Sequence, residues 1–152
     1  MLKPLQIFTD GASRGNPGPS GVGFVLKQDG VVLEKIGYFL PLQVTNNVAE
    51  YLALVAALSL VEDKFVGSPL AFTNLEIFAD SELLIKQLKG VYKVKNMVLA
   101  QLHAVIFSKL HAIGKHYAFC HIRREHNSLA DKMANQGIDK KIAAPEWVAK
   151  YL

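Results

Sequence analysis

The stretch LQIFTDGASRGNPGPSGVGFVLKQDGVVLEKIGYFL, residues 5–40, contains the patterns that decide the fold. Its first segment, LQIFTD, is short and largely apolar, which predicts a buried strand that ends at Asp10 before a loop rich in Gly, Pro, Ser and Asn. Residues 22–28 and 31–40 predict two further strands, joined by an Asp-Gly dipeptide that is typical of tight hairpin turns. We therefore expect an antiparallel meander at the start of the fold.

Downstream of the meander, helical and strand patterns alternate. An Ala- and Leu-rich segment with helical spacing predicts the longest helix, and a Gly/Pro break at residues 67–69 separates it from a second apolar segment ending in Asp. The predicted helices cover residues 47–62, 81–88, 97–110 and 128–136, the last ending at Gly137, and the predicted strands cover residues 75–80 and 116–122. This order predicts an α/β fold in which helices pack on the faces of a mixed sheet.

The composition is that of one folded domain. The chain has 152 residues, of which 51% are hydrophobic and 20% charged. It contains no apolar run near the ~20 residues that a membrane span needs and no signal-peptide pattern, so we expect a soluble protein that is not exported. Cys120 is the single cysteine, which excludes an intrachain disulfide and fits the cytoplasm. We expect a catalytic domain over residues 1–139 and an apolar tail, residues 140–152, docked on it.

Positive charge is concentrated in the second half of the chain. Residues 1–85 contain five Lys or Arg and nine Asp or Glu, whereas residues 86–152 contain twelve and four. A basic half favours a polyanionic partner such as nucleic acid, although many basic faces are only solvated.

Four acidic residues occupy the ends of predicted elements. Asp10 and Asp80 each close an apolar strand, and Glu50 and Asp131 lie within about one turn of a helix start. Each has a structural alternative. Asp10 could be a turn residue and Asp80 a helix cap. Glu50 could pair with Asn47 in a capping box, and Asp131 could complement the helix dipole. Four carboxylates converging on one sheet edge, without cysteine or clustered histidine, would suit Mg²⁺ or Mn²⁺.

Four segments together resemble the type 1 ribonuclease H family. They are FTDGASRGNPGPSGVGFVL, TNNVAEYLALVAAL, IFADSELLIKQL and HIRREHNSLADKMAN, and they follow one another in the family's order over residues 5–138. The resemblance implies a five-stranded mixed sheet in which strands 1–3 are antiparallel, strands 4 and 5 run parallel to strand 1, and helices cover both faces.

The same resemblance implies the role of the acids. Asp10, Glu50, Asp80 and Asp131 would be catalytic ligands of two Mg²⁺ ions, with Mn²⁺ as a substitute, when substrate is bound. Asp10 would be shared by both ions, Glu50 and Asp80 would lie on the leaving-group side, and Asp131 would hold the ion that activates water. Two ions stabilise the attacking and leaving oxygens of a phosphodiester together.

Substrate contacts are also implied by the resemblance. They would come from small polar or glycine positions that reach the minor groove or a phosphate: Gly11, Ser13, Asn16, Thr45, Asn46, Asn47 and Ser81. The chain lacks the basic protrusion of some members, and a lysine stripe would substitute for it: Lys86, Lys89, Lys93 and Lys95. A solvated helix end is the alternative for these lysines.

Two positions depart from the best-known bacterial pattern. The loop before Asp131 is shorter than in members that carry a mobile histidine there, and His126 is the nearest candidate for moving a proton or assisting product release. His126 is otherwise an exposed loop residue. Glu82 stands where many relatives carry Gln, which would alter a minor-groove contact.

The function implied is an endonuclease that hydrolyses the RNA strand of RNA/DNA hybrids and leaves 5′-phosphate and 3′-hydroxyl ends. Its partner would be the hybrid duplex, with no obligate protein partner, no membrane and a monomeric state. The alternatives are a hybrid-binding module without catalysis, and a related nuclease that also acts on double-stranded RNA or DNA. A nucleotide hydrolase has little support, because the Gly-rich loop does not fit the phosphate-binding pattern G-x-x-x-x-G-K-[ST].

Overall fold

A five-stranded sheet with helices on both faces makes up the computed structural model, which describes residues 2–65 and 72–151. The strands are β1 (Leu5–Ser13), β2 (Gly18–Gln28), β3 (Val31–Val44), β4 (Leu75–Ala79) and β5 (Tyr117–His121). The helices are α1 (Asn46–Lys64), α2 (Glu82–Leu88), α3 (Met97–Ile113), α4 (Ser128–Lys140) and the short α5 (Glu146–Ala149), and a 3₁₀ turn covers Arg124–His126. The predicted break at residues 67–69 lies outside the described residues.

The strand order is β3-β2-β1-β4-β5, and the strand directions confirm the predicted five-stranded mixed sheet. The β1–β2 and β2–β3 pairs are antiparallel, and the β1–β4 and β4–β5 pairs are parallel. The last paired position between β1 and β4 joins Thr9 to Ala79. Because these two residues are neighbours, the register brings the next residues, Asp10 and Asp80, to the same edge of the sheet.

Helix α1 forms the centre of the core. It packs between β1 and α3, and each residue from Ala49 to Val61 is buried. A helix buried on all sides is expected from its sequence, which is apolar around almost the whole circumference. Helix α4 instead packs against β2 and β3 on the other face and has one buried side. The central position of α1 places its first turns directly behind the end of β1.

Strands β1, β2 and β3 are longer than predicted. The region predicted as a Gly- and Pro-rich loop pairs as strand, with Gly11 opposite Val22 and Ser13 opposite Ser20. Local propensity disfavours strand at glycine, but here packing between the sheet and its helices outweighs it. The acidic residue Asp10 therefore lies within β1 rather than at its end.

The predicted end of the last long helix at Gly137 was wrong, since α4 continues to Lys140. Gly137 is buried against β3, and a Cβ added to it would lie 2.7 Å from the carbonyl carbon of Tyr38. Glycine is needed there for the close approach of helix and strand, which outweighs its low helix propensity.

Residues 142–151 contact the rest of the fold. The backbone N–H of Phe39 donates to the carbonyl oxygen of Ile142 (2.7 Å), Val148 is fully buried, and Lys109 Nζ lies 4.5 Å from the centre of the Tyr151 ring. The division into residues 1–139 and a docked tail, 140–152, stays a prediction. None of the helices in the described part of the chain combines the length and apolar character of a membrane span.

The buried valine of the tail gives a stability prediction. Replacing Val148 by Ala is expected to lower the free energy of unfolding by about 2 kcal/mol, because it removes buried methyl groups and leaves a cavity. Chemical denaturation of both proteins measures the change. Val31→Ala is the matched control, since Val31 is 60% exposed and its loss should cost under about 0.5 kcal/mol. Equal effects of the two substitutions would contradict docking of the tail.

Candidate active site

Four acidic side chains line one open cleft at the edge where the pairing between β1 and β4 ends. Asp10 comes from β1, Asp80 follows β4, Glu50 is on α1 and Asp131 is in the first turn of α4. The parallel β1–β4 register brings the first pair together, and packing of α1 and α4 on opposite faces brings in the other two. Carboxylates that the sequence separates by up to 121 positions thus share one site.

Three of these carboxylates are close enough to share a cation. One oxygen each from Asp10, Glu50 and Asp80 lie within 4.8 Å of one another. Asp131 is outside this tight group but lines the same cleft, and its negative charge contributes to raising the pKa of Asp10. The arrangement is therefore a triad with a fourth acid beside Asp10.

Burial and mutual repulsion make this triad unfavourable without a counter-ion. Asp10 is 6% and Glu50 8% exposed. Burial first, and then the charges of Asp80 and Asp131, raise the pKa of Asp10 to about 7, although a hydrogen bond with Glu50 acts in the opposite direction. Burial first, and then Asp10 and Asp80, raise the pKa of Glu50 well above its ordinary value. The Gly11 backbone N–H acts to lower the pKa of Glu50, yet Glu50 Oε2 is buried without a hydrogen-bond partner among the described residues. A bound divalent cation would satisfy this oxygen and offset the repulsion.

Helix caps do not account for Glu50 or Asp80. The N-cap of α1 is Thr45, whose Oγ1 accepts from the Val48 N–H (3.3 Å), so Glu50 lies beyond the position of a capping-box acid. Helix α2 is capped by Ser81, whose Oγ accepts from the Leu84 N–H (3.2 Å). The two acids are therefore not needed as helix caps. Asp131 does lie in the first turn of α4, where its charge also complements the helix dipole.

The raised pKa of Asp10 gives a pH prediction for the metal-free protein. Since the folded-state pKa is about 7 and the ordinary value 3.8, the folded form keeps a proton that the unfolded chain releases between these values. Stability should fall as pH rises through this window, by up to about 1.4 kcal/mol per pH unit from this one group. Thermal unfolding in EDTA at pH 5 and pH 8 measures it. The Asp10→Asn protein should lose much of this pH dependence of stability. An unchanged pH dependence would contradict the assignment of the raised pKa to Asp10.

The predicted substrate residues fall into two groups. Gly11, Ser13, Asn46, Asn47 and Ser81 line the acidic cleft. The remaining predicted substrate residues lie outside its lining: Asn16, Thr45, Lys86 and Lys89.

Two of the residues outside the lining have structural contacts close to it. Asn16 Oδ1 accepts from the Asn46 N–H (2.8 Å), and Thr45 caps α1. Both contacts hold the turn that precedes α1 beside the cleft. Their contacts with substrate stay predictions.

The two predicted phosphate-binding lysines differ in their contacts within the protein. Lys86 Nζ pairs with Glu82 Oε1 (2.6 Å) and contacts the Tyr92 hydroxyl oxygen (3.2 Å), whereas Lys89 is exposed at the end of α2. The structure therefore favours Lys89 over Lys86 as a residue that can reach a phosphate.

His126 does not lie along the acidic cleft. It lines a separate small hollow with Phe8 and Lys27, while Arg124 at the start of the same 3₁₀ turn lines the cleft instead. The sequence run RREHN offers several polar side chains, and the tight turn decides which of them faces the acids. The role predicted for His126 stays untested.

Arg14 and Asn135 also line the cleft and were missed by sequence reasoning. Arg14 Nη2 donates to Asn135 Oδ1 (3.1 Å), and Asn135 Nδ2 donates to the backbone oxygen (3.0 Å) and Oδ1 (3.3 Å) of Asp131. The helical spacing of Asp131 and Asn135, four residues apart, was the signal that could have identified the second contact.

Fold and site together define a class: an α/β protein with a cleft of clustered carboxylates at the edge of a mixed sheet. The family model for RNase H matches residues 3–139. The chain belongs to the ribonuclease H family.

Known relatives are similar to this chain in sequence and in fold. Ribonuclease HI of Halobacterium salinarum is 36% identical over 136 residues, which are 89% of this chain and 64% of that protein. A bifunctional protein of Mycobacterium tuberculosis is 35% identical over 140 residues, 89% of this chain and 35% of its own length. The chain thus spans less than two thirds of the length of these two curated relatives. The crystal structure of LC11-RNase H1 in complex with RNA/DNA hybrid has a TM-score of 0.82 and 38% identity, covering 90% of this chain and 97% of that one.

Proposed function

We propose that this protein is an endonuclease that hydrolyses the RNA strand of RNA/DNA hybrids with two divalent ions, Mg²⁺ or Mn²⁺, leaving 5′-phosphate and 3′-hydroxyl ends. The observation that carries the proposal is the triad of Asp10, Glu50 and Asp80, whose oxygens lie within 4.8 Å and include a buried oxygen without a partner. Membership of the ribonuclease H family, and the similarity to an enzyme crystallised with RNA/DNA hybrid, support the substrate.

The roles of the acids in this mechanism are those that the resemblance to the family implies. Asp10 neighbours both the Glu50–Asp80 pair and Asp131, so we assign it the shared position. By the family's pattern, Glu50 and Asp80 would hold the ion on the leaving-group side, and Asp131 would hold the ion that activates water. When bound, the divalent ions supply an activated water and stabilise negative charge on the attacking and leaving oxygens.

Small neutral groups in the cleft suit recognition of RNA. Asn46, Asn47 and Ser81 line the cleft beside the acids and carry hydrogen-bond donors without net charge, whereas the Ser13 hydroxyl already donates to the Val44 carbonyl oxygen (2.6 Å). RNA is distinguished from DNA by its 2′-hydroxyls, which lie in a wide, shallow minor groove and are reached by such donors. Arg124 lines the same cleft and supplies a positive charge for a phosphate of the cleaved strand.

Cleavage of three labelled duplexes tests the proposal against its alternatives. With Mg²⁺ we expect cleavage of the RNA strand in RNA/DNA and none of DNA/DNA. A hybrid-binding module would shift RNA/DNA on a gel without cutting it, and equal cleavage of RNA/RNA would broaden the substrate class to double-stranded RNA. Cleavage of DNA/DNA alone would overturn the proposal.

We further propose that the protein acts as a monomer in the cytoplasm. Sedimentation equilibrium tests whether it is a monomer.

The lysine stripe gives a prediction about salt dependence. Lys89→Ala should weaken hybrid binding and lower the slope of log Kd against log salt by about 1, because one phosphate contact is lost. Lys86→Ala should change the slope less, since Lys86 is already paired with Glu82. Filter binding at several salt concentrations measures both. A larger effect for Lys86 than for Lys89 would contradict this reading of the stripe.

A further inference from the structure

Asn127 is a buried polar residue that lies behind the acidic cleft and contacts the Asp80 side chain. It directly precedes α4 and follows the 3₁₀ turn, and only 2% of its surface is exposed. An asparagine this deeply buried usually has specific hydrogen-bond partners. The partners of Asn127 connect it to segments that carry three of the four acids.

One nitrogen of Asn127 joins two strands of the sheet. Its Nδ2 donates to the backbone oxygen of Thr9 (2.8 Å), the residue before Asp10, and to Oδ2 of Asp80 (3.3 Å). Its backbone oxygen accepts from the N–H of Asp131 (3.1 Å), which is the first helical hydrogen bond reaching that acid. Asn127 thus contacts the Asp80 side chain directly and the backbone beside or at two other acids.

The hydrogen bonds of the Asn127 side chain lie at the point where the pairing between β1 and β4 stops. Pairing between β1 and β4 ends at Thr9 and Ala79, so beyond this point no backbone ladder fixes the distance between the two strands. The Asn127 amide spans the gap immediately beyond the last pair. It therefore fixes the spacing of the two chain segments from which Asp10 and Asp80 project.

We propose that Asn127 is a positioning residue that orients the Asp80 carboxylate for binding a divalent ion. The inference rests on the proposed function. A carboxamide nitrogen can hold one oxygen of Asp80 while leaving its negative charge and its other oxygen for the cation. A lysine or arginine there would neutralise the charge, and an aspartate would lose the donor and add a fifth acid.

A purely structural role as a helix cap is distinguishable from this one. The Asn127 side chain makes no capping hydrogen bond to α4. Serine is as good an N-cap residue as asparagine, so Asn127→Ser should retain the start of α4. Its short side chain cannot reach both Thr9 and Asp80, so the positioning contact is lost even when the helix is kept.

The test is direct Mn²⁺ binding to the substrate-free protein, measured by isothermal titration calorimetry. The proteins are the unmodified chain, Asn127→Ala, Asn127→Ser and the control Ile106→Val, which removes a buried methyl group from α3. We expect 10- to 100-fold weaker Mn²⁺ binding in both Asn127 variants, the usual effect of losing a partner of a metal ligand. Ile106→Val, although destabilised, should bind Mn²⁺ as tightly as the unmodified chain.

Cleavage of labelled hybrid supplies a second readout. The Mg²⁺ concentration for half-maximal cleavage should rise in both Asn127 variants, while KM for the hybrid at saturating Mg²⁺ should stay the same. A change in KM alone would overturn the inference, because Asn127 would then act on substrate rather than on the ion.

The remaining outcomes separate this inference from the proposed function. Unchanged Mn²⁺ affinity in folded Asn127 variants would overturn the positioning role and leave the proposed function intact. Loss of the fold in both variants, judged by circular dichroism, would also overturn it, since Asn127 would then be a structural residue. If the unmodified chain itself bound no Mn²⁺, the proposed function would fail first.

Discussion

Replacing Asp10 by Asn is expected to reduce hybrid cleavage by about 10³-fold or more. Asp10 neighbours both the Glu50–Asp80 pair and Asp131, so its loss should affect both of the proposed ion positions. Stabilisation of a phosphodiester transition state by bound ions amounts to several kcal/mol, and each 1.36 kcal/mol corresponds to tenfold in rate. Single-turnover cleavage at saturating enzyme measures the chemical step without a contribution from binding.

The matched control is the same chemical change at an exposed turn. Asp29 has a positive φ of 52° in the β2–β3 hairpin, a conformation that Asn tolerates well, so Asp29→Asn should leave cleavage unchanged. In contrast to its effect on cleavage, Asp10→Asn should raise the melting temperature at pH 8 without metal, because a buried charge is removed. Normal cleavage by Asp10→Asn would rule out the proposed metal mechanism.

Replacing Gly11 by Ala is expected to lower both stability and cleavage strongly. A Cβ at this position would lie 2.2 Å from the Ala49 carbonyl carbon and 2.3 Å from the Glu50 nitrogen. These are backbone atoms of α1, which cannot rotate away, so the helix must shift. We expect a loss of about 3 kcal/mol in the free energy of unfolding. Because α1 carries Glu50, a shift near 1 Å should also reduce cleavage by about 10²-fold.

Gly30→Ala separates this steric effect from the general cost of replacing glycine. Gly30 has a φ of +77° and no atom within 4 Å of an added Cβ, so only backbone strain of about 1 kcal/mol is expected. Its cleavage rate should match that of the unmodified protein. Denaturation and single-turnover cleavage give both quantities for each variant. A Gly11→Ala protein as active as Gly30→Ala would contradict the close packing of β1 on α1.

The fold was predictable where local pattern and tertiary packing favour the same structure. The apolar runs LQIFTD and LEIFAD are strands in the structure, and the Ala- and Leu-rich segment is the central helix α1. The prediction failed at glycines, since Gly11 pairs within β1 and Gly137 lies inside α4. At both positions the local sequence predicts a break, but the glycine instead permits close contact with another element. Such a contact between distant segments cannot be predicted from a local pattern.

That the four acids share one cleft was predictable because strand ends and helix starts are marked in the sequence, although Asp10 lies within β1 rather than at its end. Asn127 and Arg124 were not, because their places depend on contacts between distant segments. Asn127 is separated by 118 positions from Thr9, whose carbonyl it binds. His126, chosen from the sequence because histidine titrates near neutral pH, lies against Phe8 instead of the acids. Residue type identifies candidates, whereas the turn geometry before α4 decides which side chain enters the cleft.

The most direct test of the central claim is cleavage of an RNA/DNA hybrid whose RNA strand carries a 5′ label, with Mg²⁺ or with excess EDTA. We predict internal RNA fragments ending in 3′-hydroxyl groups when Mg²⁺ is present, an intact DNA strand, and no fragments in EDTA. Intact RNA in both Mg²⁺ and Mn²⁺, or equal cleavage in EDTA, would contradict the assignment of Asp10, Glu50, Asp80 and Asp131 as a metal-dependent nuclease site.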